Sequence, residues 1–235
     1  MASVKKPSLR ERKYAQTKIA LMRAAIQRLS KTPFESLSVK ELCDSVPVSE
    51  ATFFNYFPRK SDLLAYIGQL WALELAWHGQ QVARETPGLP VIQSVFDRTA
   101  QQIQAQPKLM GELIAWQARL REKPELAALT LAERQLAFPD LQGIDETPGA
   151  GLEALLAANL QKAIERNDLP GNTPLNTVMV ALLSIYYGVP LALRLANPAA
   201  IGNMYRQQLL LLWAGLRGAV SGTERSRSTG QSSQP

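Results

Sequence analysis

The chemistry this sequence offers is concentrated between Ser38 and Lys60. Ala51, Thr52, Phe54, Asn55 and Tyr56 crowd one short helical stretch and carry a methyl, a hydroxyl, two aromatic rings and an amide. Such groups hydrogen-bond and pack against base edges in a DNA major groove; they neither relay protons nor hold metal ions. Ser38 and Ser49 stand where helix caps are expected. Lys60 opens a later helix, where its charge and the free backbone amides together favour a phosphate.

Two short capped helices must position these groups. Ser38 and Glu41 form a capping-box pattern, and Val46-Pro47 ends that helix near Ser45 because the residue before proline avoids helical geometry. Ser49 caps a second helix, Glu50 to Phe57, which Pro58 stops. Val39, Leu42, Val46, Val48, Phe53 and Phe57 supply a small core, leaving the other face of the second helix free. In front lies a helix from about Ser8 to Lys31, with Ile19, Met22, Ile26 and Leu29 on one apolar face.

Charge supports a polyanionic partner. Met1 to Gly68 holds twelve Lys or Arg against six Asp or Glu, so the whole net charge of +6 lies there. Basic residues of the first helix and the arm before it are placed to hold phosphates. A single cysteine, Cys43, forms no internal disulfide, and no apolar run follows Lys5, Lys6, Arg10, Arg12 and Lys13 to make a secretory signal. A cytoplasmic protein is expected. No Gly-rich phosphate loop, G-x-S-x-G elbow, H-E-x-x-H or His-Cys pair is present, so neither catalysis nor a cofactor or metal is expected.

The remainder reads as helices throughout, with no alternating pattern that would make a strand. They run from about Lys60 to Arg84, Val91 to Gln106, Lys108 to Glu122, Glu125 to Ala137, Leu152 to Asn167, Thr173 to Ala196 and Pro198 to Val220. Residues 172–193 lack charge and match a bilayer span in length, but Asn172, Thr173, Asn176, Thr177 and Ser184 dilute them and Pro174 and Pro190 interrupt. A helix buried between protein surfaces, kinked near Pro190, is the reading; no membrane partner is expected.

The segment V48-S-E-A-T-F-F-N-Y-F-P-R-K-S-D-L-L64, with Pro33-Phe34 and Ser38-Val39 before it, resembles the signature of tetracycline-repressor-type (TetR) regulators. The resemblance covers roughly Arg10 to Gly68; beyond it only helix count and order match. It implies an all-α protein with an N-terminal three-helix helix-turn-helix domain and a C-terminal helical domain for ligand binding and dimerisation. The expected divisions are a basic flexible arm (1–9), the DNA-binding domain (10–60), the sensing and dimerisation domain (61–220) and a disordered tail (221–235). It also implies a ligand-responsive repressor acting as a homodimer on a pseudo-palindromic double-stranded operator, with helices eight and nine pairing as a four-helix bundle and a ligand pocket under helix four. Carried over by position, Ser38, Ser49, Ala51, Thr52, Phe54, Asn55, Tyr56 and Lys60 would touch DNA. Three positions depart from the family pattern: Glu50 where a basic residue is common, Pro47 where a turn glycine is frequent, and Phe54 where a tyrosine is frequent. Without the hydroxyl, Phe54 is left with stacking or a thymine methyl.

Several residues admit a plainer role. Tyr56 can pack inside the head with only its hydroxyl outside, Cys43 suits a buried structural thiol, and the lone His78 suits packing or solvent as well as a ligand. Trp71, Trp77, Phe96, Met110, Trp116, Tyr186 and Tyr187 are large enough to line a greasy pocket or simply fill a core. Trp71, Phe96, Met110, Trp116 and Tyr186 are the candidate contacts for a small hydrophobic or aromatic effector. The rival to a regulator is a basic helical interaction module that binds acidic partners without reading sequence.

Overall fold

The computed structural model describes residues 7–122, 124 and 126–229, with side chains through 218; the arm at 1–6 and the end of the tail, 230–235, lie outside the described residues. The described chain forms ten α-helices, and no strand occurs among the described residues. The helices are α1 (Leu9–Leu29), α2 (Val39–Ser45), α3 (Glu50–Tyr56), α4 (Asp62–Ala83), α5 (Leu89–Ala105), α6 (Pro107–Arg119), α7 (Leu131–Ala137), α8 (Gly151–Glu165), α9 (Leu175–Leu193) and α10 (Ile201–Thr229). The all-α expectation holds. Helix α10 extends to Thr229, and no proline falls between Ile201 and there.

The chain divides into two compact units: residues to Trp77 with Ala105–Gly151, and His78–Gln104 with the chain from Leu152 onward. The first unit is therefore larger than the expected head of 10–60, since it includes α6, α7 and most of α4. Its core gathers Ile19, Leu21 and Leu29 of α1, Leu42 of α2, Phe53 of α3 and Leu63, Leu64 and Ile67 of α4. Burial of apolar area on this scale is the main force that holds the unit together.

Caps fix the helix starts, though not all where expected. Ser8 and Glu11 make a reciprocal capping box at α1. Ser38 heads α2 without any side-chain cap bond, so the box expected with Glu41 is not formed. The reason is Arg28 of α1: its guanidinium lies 3.6 Å from the Glu41 carboxylate and donates to the Glu41 carbonyl and the Ser45 hydroxyl. A second box, Thr130 with Glu133, opens α7. That cap sets the start at Leu131, six residues later than the expected Glu125.

Helix α7 packs along α1. Lys18 of α1 meets Glu133 of α7 at 2.8 Å, with 15% and 2% of the two side chains exposed. The ammonium also sits 4.2 Å from the Tyr66 ring centre, a cation–π contact. Burial pushes the Glu133 carboxyl up, but hydrogen bonds from Lys18 and Thr130 outweigh it and hold the group below its ordinary value. Arg134 then ties the following loop, donating to the carbonyls of Asp145 and Thr147.

In the second unit Gly88 requires its glycine. Its φ is +97°, and a Cβ there would stand 3.3 Å from the Ala163 backbone. Phe96, Tyr186 and Tyr205 interlock edge to face, and Thr99 donates to the Tyr186 hydroxyl. Pro190 lies within α9. That helix is long and apolar enough to cross a membrane by length and composition alone, yet only 28% of its apolar window is buried. In the single chain part of this surface is open: Val180 on α9 and Leu210 and Leu211 on α10 are each about two-thirds exposed.

Candidate nucleic-acid interface

Helix α3 is held from below and open above. Phe53 and Phe57 are fully buried, as their spacing predicts, and Val39, Val46 and Val48 pack against the same core. The Ser49 hydroxyl accepts from the Thr52 amide at 3.1 Å and lies 2.9 Å from the Thr52 hydroxyl. The turn from Val46 to Ser49 separates α2 from α3, the four residues expected.

On the open side Ala51, Phe54 and Asn55 are exposed. They occupy positions i, i+3 and i+4 and so share one face. Phe54 leans its ring edge-on against Phe53, with centroids 5.3 Å apart. Ser38 and Thr52 are half-buried beside them, and Ser49 is exposed at the cap. Tyr56 is half-buried, and its ring lies 4.5 Å from that of Tyr14. Tyr14 escaped the sequence reading, since nothing in the pattern links α1 to the end of α3.

Lys60 turns toward its own head. Its ammonium donates to the carbonyls of Phe34, Glu35 and Leu37 at 2.9, 3.1 and 3.0 Å and rests over the Phe34 ring. A lysine has three hydrogens to donate, and three carbonyls stand within reach of them. The cause is the 3-10 turn Phe34–Ser36, whose carbonyls converge where Lys60 reaches. Arg59 is likewise engaged, its backbone amide and guanidinium bonding Asp62.

Cys43 is buried under α2, and burial, reinforced by the charges of Glu50 and Asp44, pushes its thiol up, as suits a packed structural group. His78 is half-buried in α4. No group of three or more His, Cys, Asp or Glu able to hold a metal occurs among the described residues.

The five candidate effector contacts are divided between the two units. Trp71, Met110 and Trp116 belong to the first unit, Phe96 and Tyr186 to the second. Phe96 is fully buried against Tyr186 and Tyr205, and Met110 is also buried, so these side chains fill cores. Trp116 does line a cleft of about 660 Å3 with Phe34, Glu35, Arg59 and Arg119, and an Arg119–Glu35 ion pair lies at that cleft.

Residues 21–67 match the family model of bacterial regulatory proteins, tetR family. Over that stretch the head is similar to the tetR family. The match falls inside the stretch that carries the sequence resemblance and runs from the last nine residues of α1 through the start of α4. A comparison with curated proteins found no match. Solved structures share the fold. Thermus thermophilus FadR, a TetR family transcriptional repressor in complex with lauroyl-CoA, is 21% identical, with a TM-score of 0.57 over 83% of this chain and 92% of that one. A protein solved to explain control of antibiotic production by a bacterial hormone is 18% identical, with a TM-score of 0.59 over 88% and 98%. A tetR-family transcription regulator from Shewanella sp. PV-4, described as putative by its authors, is 14% identical, with a TM-score of 0.53 over 85% and 97%. A head that matches the tetR family model and carries an exposed α3 thus lies in a chain that shares the fold of these structures.

Proposed function

We propose that the protein is a cytoplasmic, ligand-responsive transcriptional repressor that binds an inverted-repeat operator as a homodimer. The observation that carries this reading is α3: Phe53 and Phe57 lock one face into the core while Ala51, Phe54 and Asn55 stand open on the other. Ser38, Ser49, Thr52 and Tyr56 border that face and serve as backbone contacts; Lys60 acts from behind, by bracing the turn at Phe34. The excess positive charge of the first 68 residues supplies the attraction to duplex DNA.

Dimerisation is supported by the open apolar surface on α9 and α10, including Val180, Leu210 and Leu211. A second copy of the chain is its partner in this reading. The pair is α9 with α10, one helix further along than the resemblance alone implies. A hydrophobic effector is supported by the fold shared with a repressor that holds lauroyl-CoA. Its binding would favour a spacing of the two heads that no longer fits successive major grooves.

Selection of binding sites from random duplexes by the full-length chain, followed by anisotropy titration at several salt concentrations, tests the reading. An enriched inverted repeat, bound as a dimer with affinity falling steeply as salt rises, is expected. Salt-labile binding to any polyanion without enrichment would instead make the chain a basic interaction module.

A further inference from the structure

We infer that the core of each half-site is A·T, read by Asn55 on an adenine and by Phe54, with Ala51, on a thymine methyl; this rests on the DNA-binding reading above. Guanine presents two acceptors, O6 and N7, to the major groove, and the side chains that read both at once are arginine and lysine. Helix α3, Glu50 to Tyr56, contains neither. The next two cations along the chain are committed elsewhere, Arg59 to Asp62 and Lys60 to the carbonyls of Phe34, Glu35 and Leu37.

What α3 does expose matches the other base pair. The Asn55 amide, a donor beside an acceptor, complements adenine N6 and N7. Phe54 is 44% exposed and carries no hydroxyl, so it can bond neither a phosphate nor a polar base edge. The apolar group in the major groove is the thymine C5 methyl, and a phenyl ring held edge-on by Phe53 offers it a firm surface. Ala51, one turn earlier on the same face, adds a second methyl-sized contact. Glu50, exposed in the first turn, suits a cytosine amine at the margin of that core.

The test uses the full-length chain and the site it selects. Each thymidine of that site is replaced in turn by deoxyuridine, which lacks only the methyl, and each deoxyadenosine by its 7-deaza analogue; affinity is read by anisotropy. Wild type should select A·T in the half-site core and lose about fourfold per half-site at one thymine, the worth of one buried methyl-sized group. Phe54→Ala should bind more weakly and no longer distinguish the two bases there. Asn55→Ala should lose its sensitivity to the 7-deaza substitution at the neighbouring adenine. Thermal melting of both variants, whose substituted side chains are exposed, confirms that they fold.

Enrichment of a G·C core overturns the inference, as does indifference of wild type to deoxyuridine, or sensitivity to deoxyuridine retained by Phe54→Ala. In each of those cases an enriched site still upholds the regulator reading. Absence of any enriched site overturns both.

Discussion

The hydroxyl of Tyr205 donates to the carbonyl of Tyr186 at 2.6 Å, and that carbonyl is the one Pro190 leaves without its helical partner. Proline has no N–H to give to the residue four positions earlier, so a buried acceptor would otherwise go unpaired. A side chain from α10 thus repairs the ladder of α9. Tyr205→Phe should destabilise the second unit by about 1–3 kcal/mol, the cost of a buried carbonyl left unsatisfied. In a Pro190→Ala background the backbone N–H returns, and the cost of removing the hydroxyl should shrink. Urea unfolding of the two single variants and the double variant checks this; equal costs in both backgrounds would refute the repair.

The Lys18–Glu133 pair makes stability depend on pH in a definite direction. The Glu133 carboxyl titrates below its ordinary value in the folded chain, so its contribution is complete above the unfolded value of 4.5 and is lost as pH falls through the lower, folded one. Glu133→Gln should lower neutral-pH stability by about 3 kcal/mol, because a largely buried ammonium loses its counter-charge, and should flatten the acid limb of the stability profile. Thermal melts from pH 7 down to pH 3 would show an unchanged acid limb if the pair contributed nothing.

Lys60→Met separates bracing from phosphate binding. A lysine on a phosphate contributes about 0.9 to the slope of log affinity against log salt. Since Lys60 spends its donors on three carbonyls, the variant should keep the wild-type slope while the head loses about 2 kcal/mol of stability. A shallower slope with unchanged melting would place the ammonium on DNA instead.

The apolar face of α9 and α10 gives a further expectation. Val180→Glu and Leu210→Glu replace exposed side chains, so neither should disturb the packing of one chain, and both should shift the protein from dimer to monomer in sedimentation. Operator affinity should fall with them, because a single head retains only half of the contacts. Dimers that persist in both variants would move the interface elsewhere.

What could be read in advance follows from how local each signal is. Ser49 before α3 and Pro58 after it are cues within a few residues of the structure they set, and α3 appears where they place it. The Ser38–Glu41 pattern is just as local, yet Arg28 from α1 claims the carboxylate, an event that no window around α2 contains. Thr130 and Glu133 carry the same box in plain view and start α7 six residues late, because the apolar pattern before them suggests helix and the cap overrides it. Lys60 and the Tyr14–Tyr56 contact depend on carbonyls and rings brought from other elements. The large aromatic residues could be counted, but not sorted between two units whose boundary falls inside one continuous helix, α4.

Helix α7 on α1 also imposes an order on synthesis. Lys18 leaves the ribosome long before Glu133, and the unit that contains the head closes only once the chain through Gly151 is available. A nascent chain of 68 residues has the whole reading helix but not the wall it leans on. The wall along α1 is therefore completed late in translation although α1 lies early in the sequence, and an excised fragment ending at Gly68 would expose the α1 surface that α7 covers.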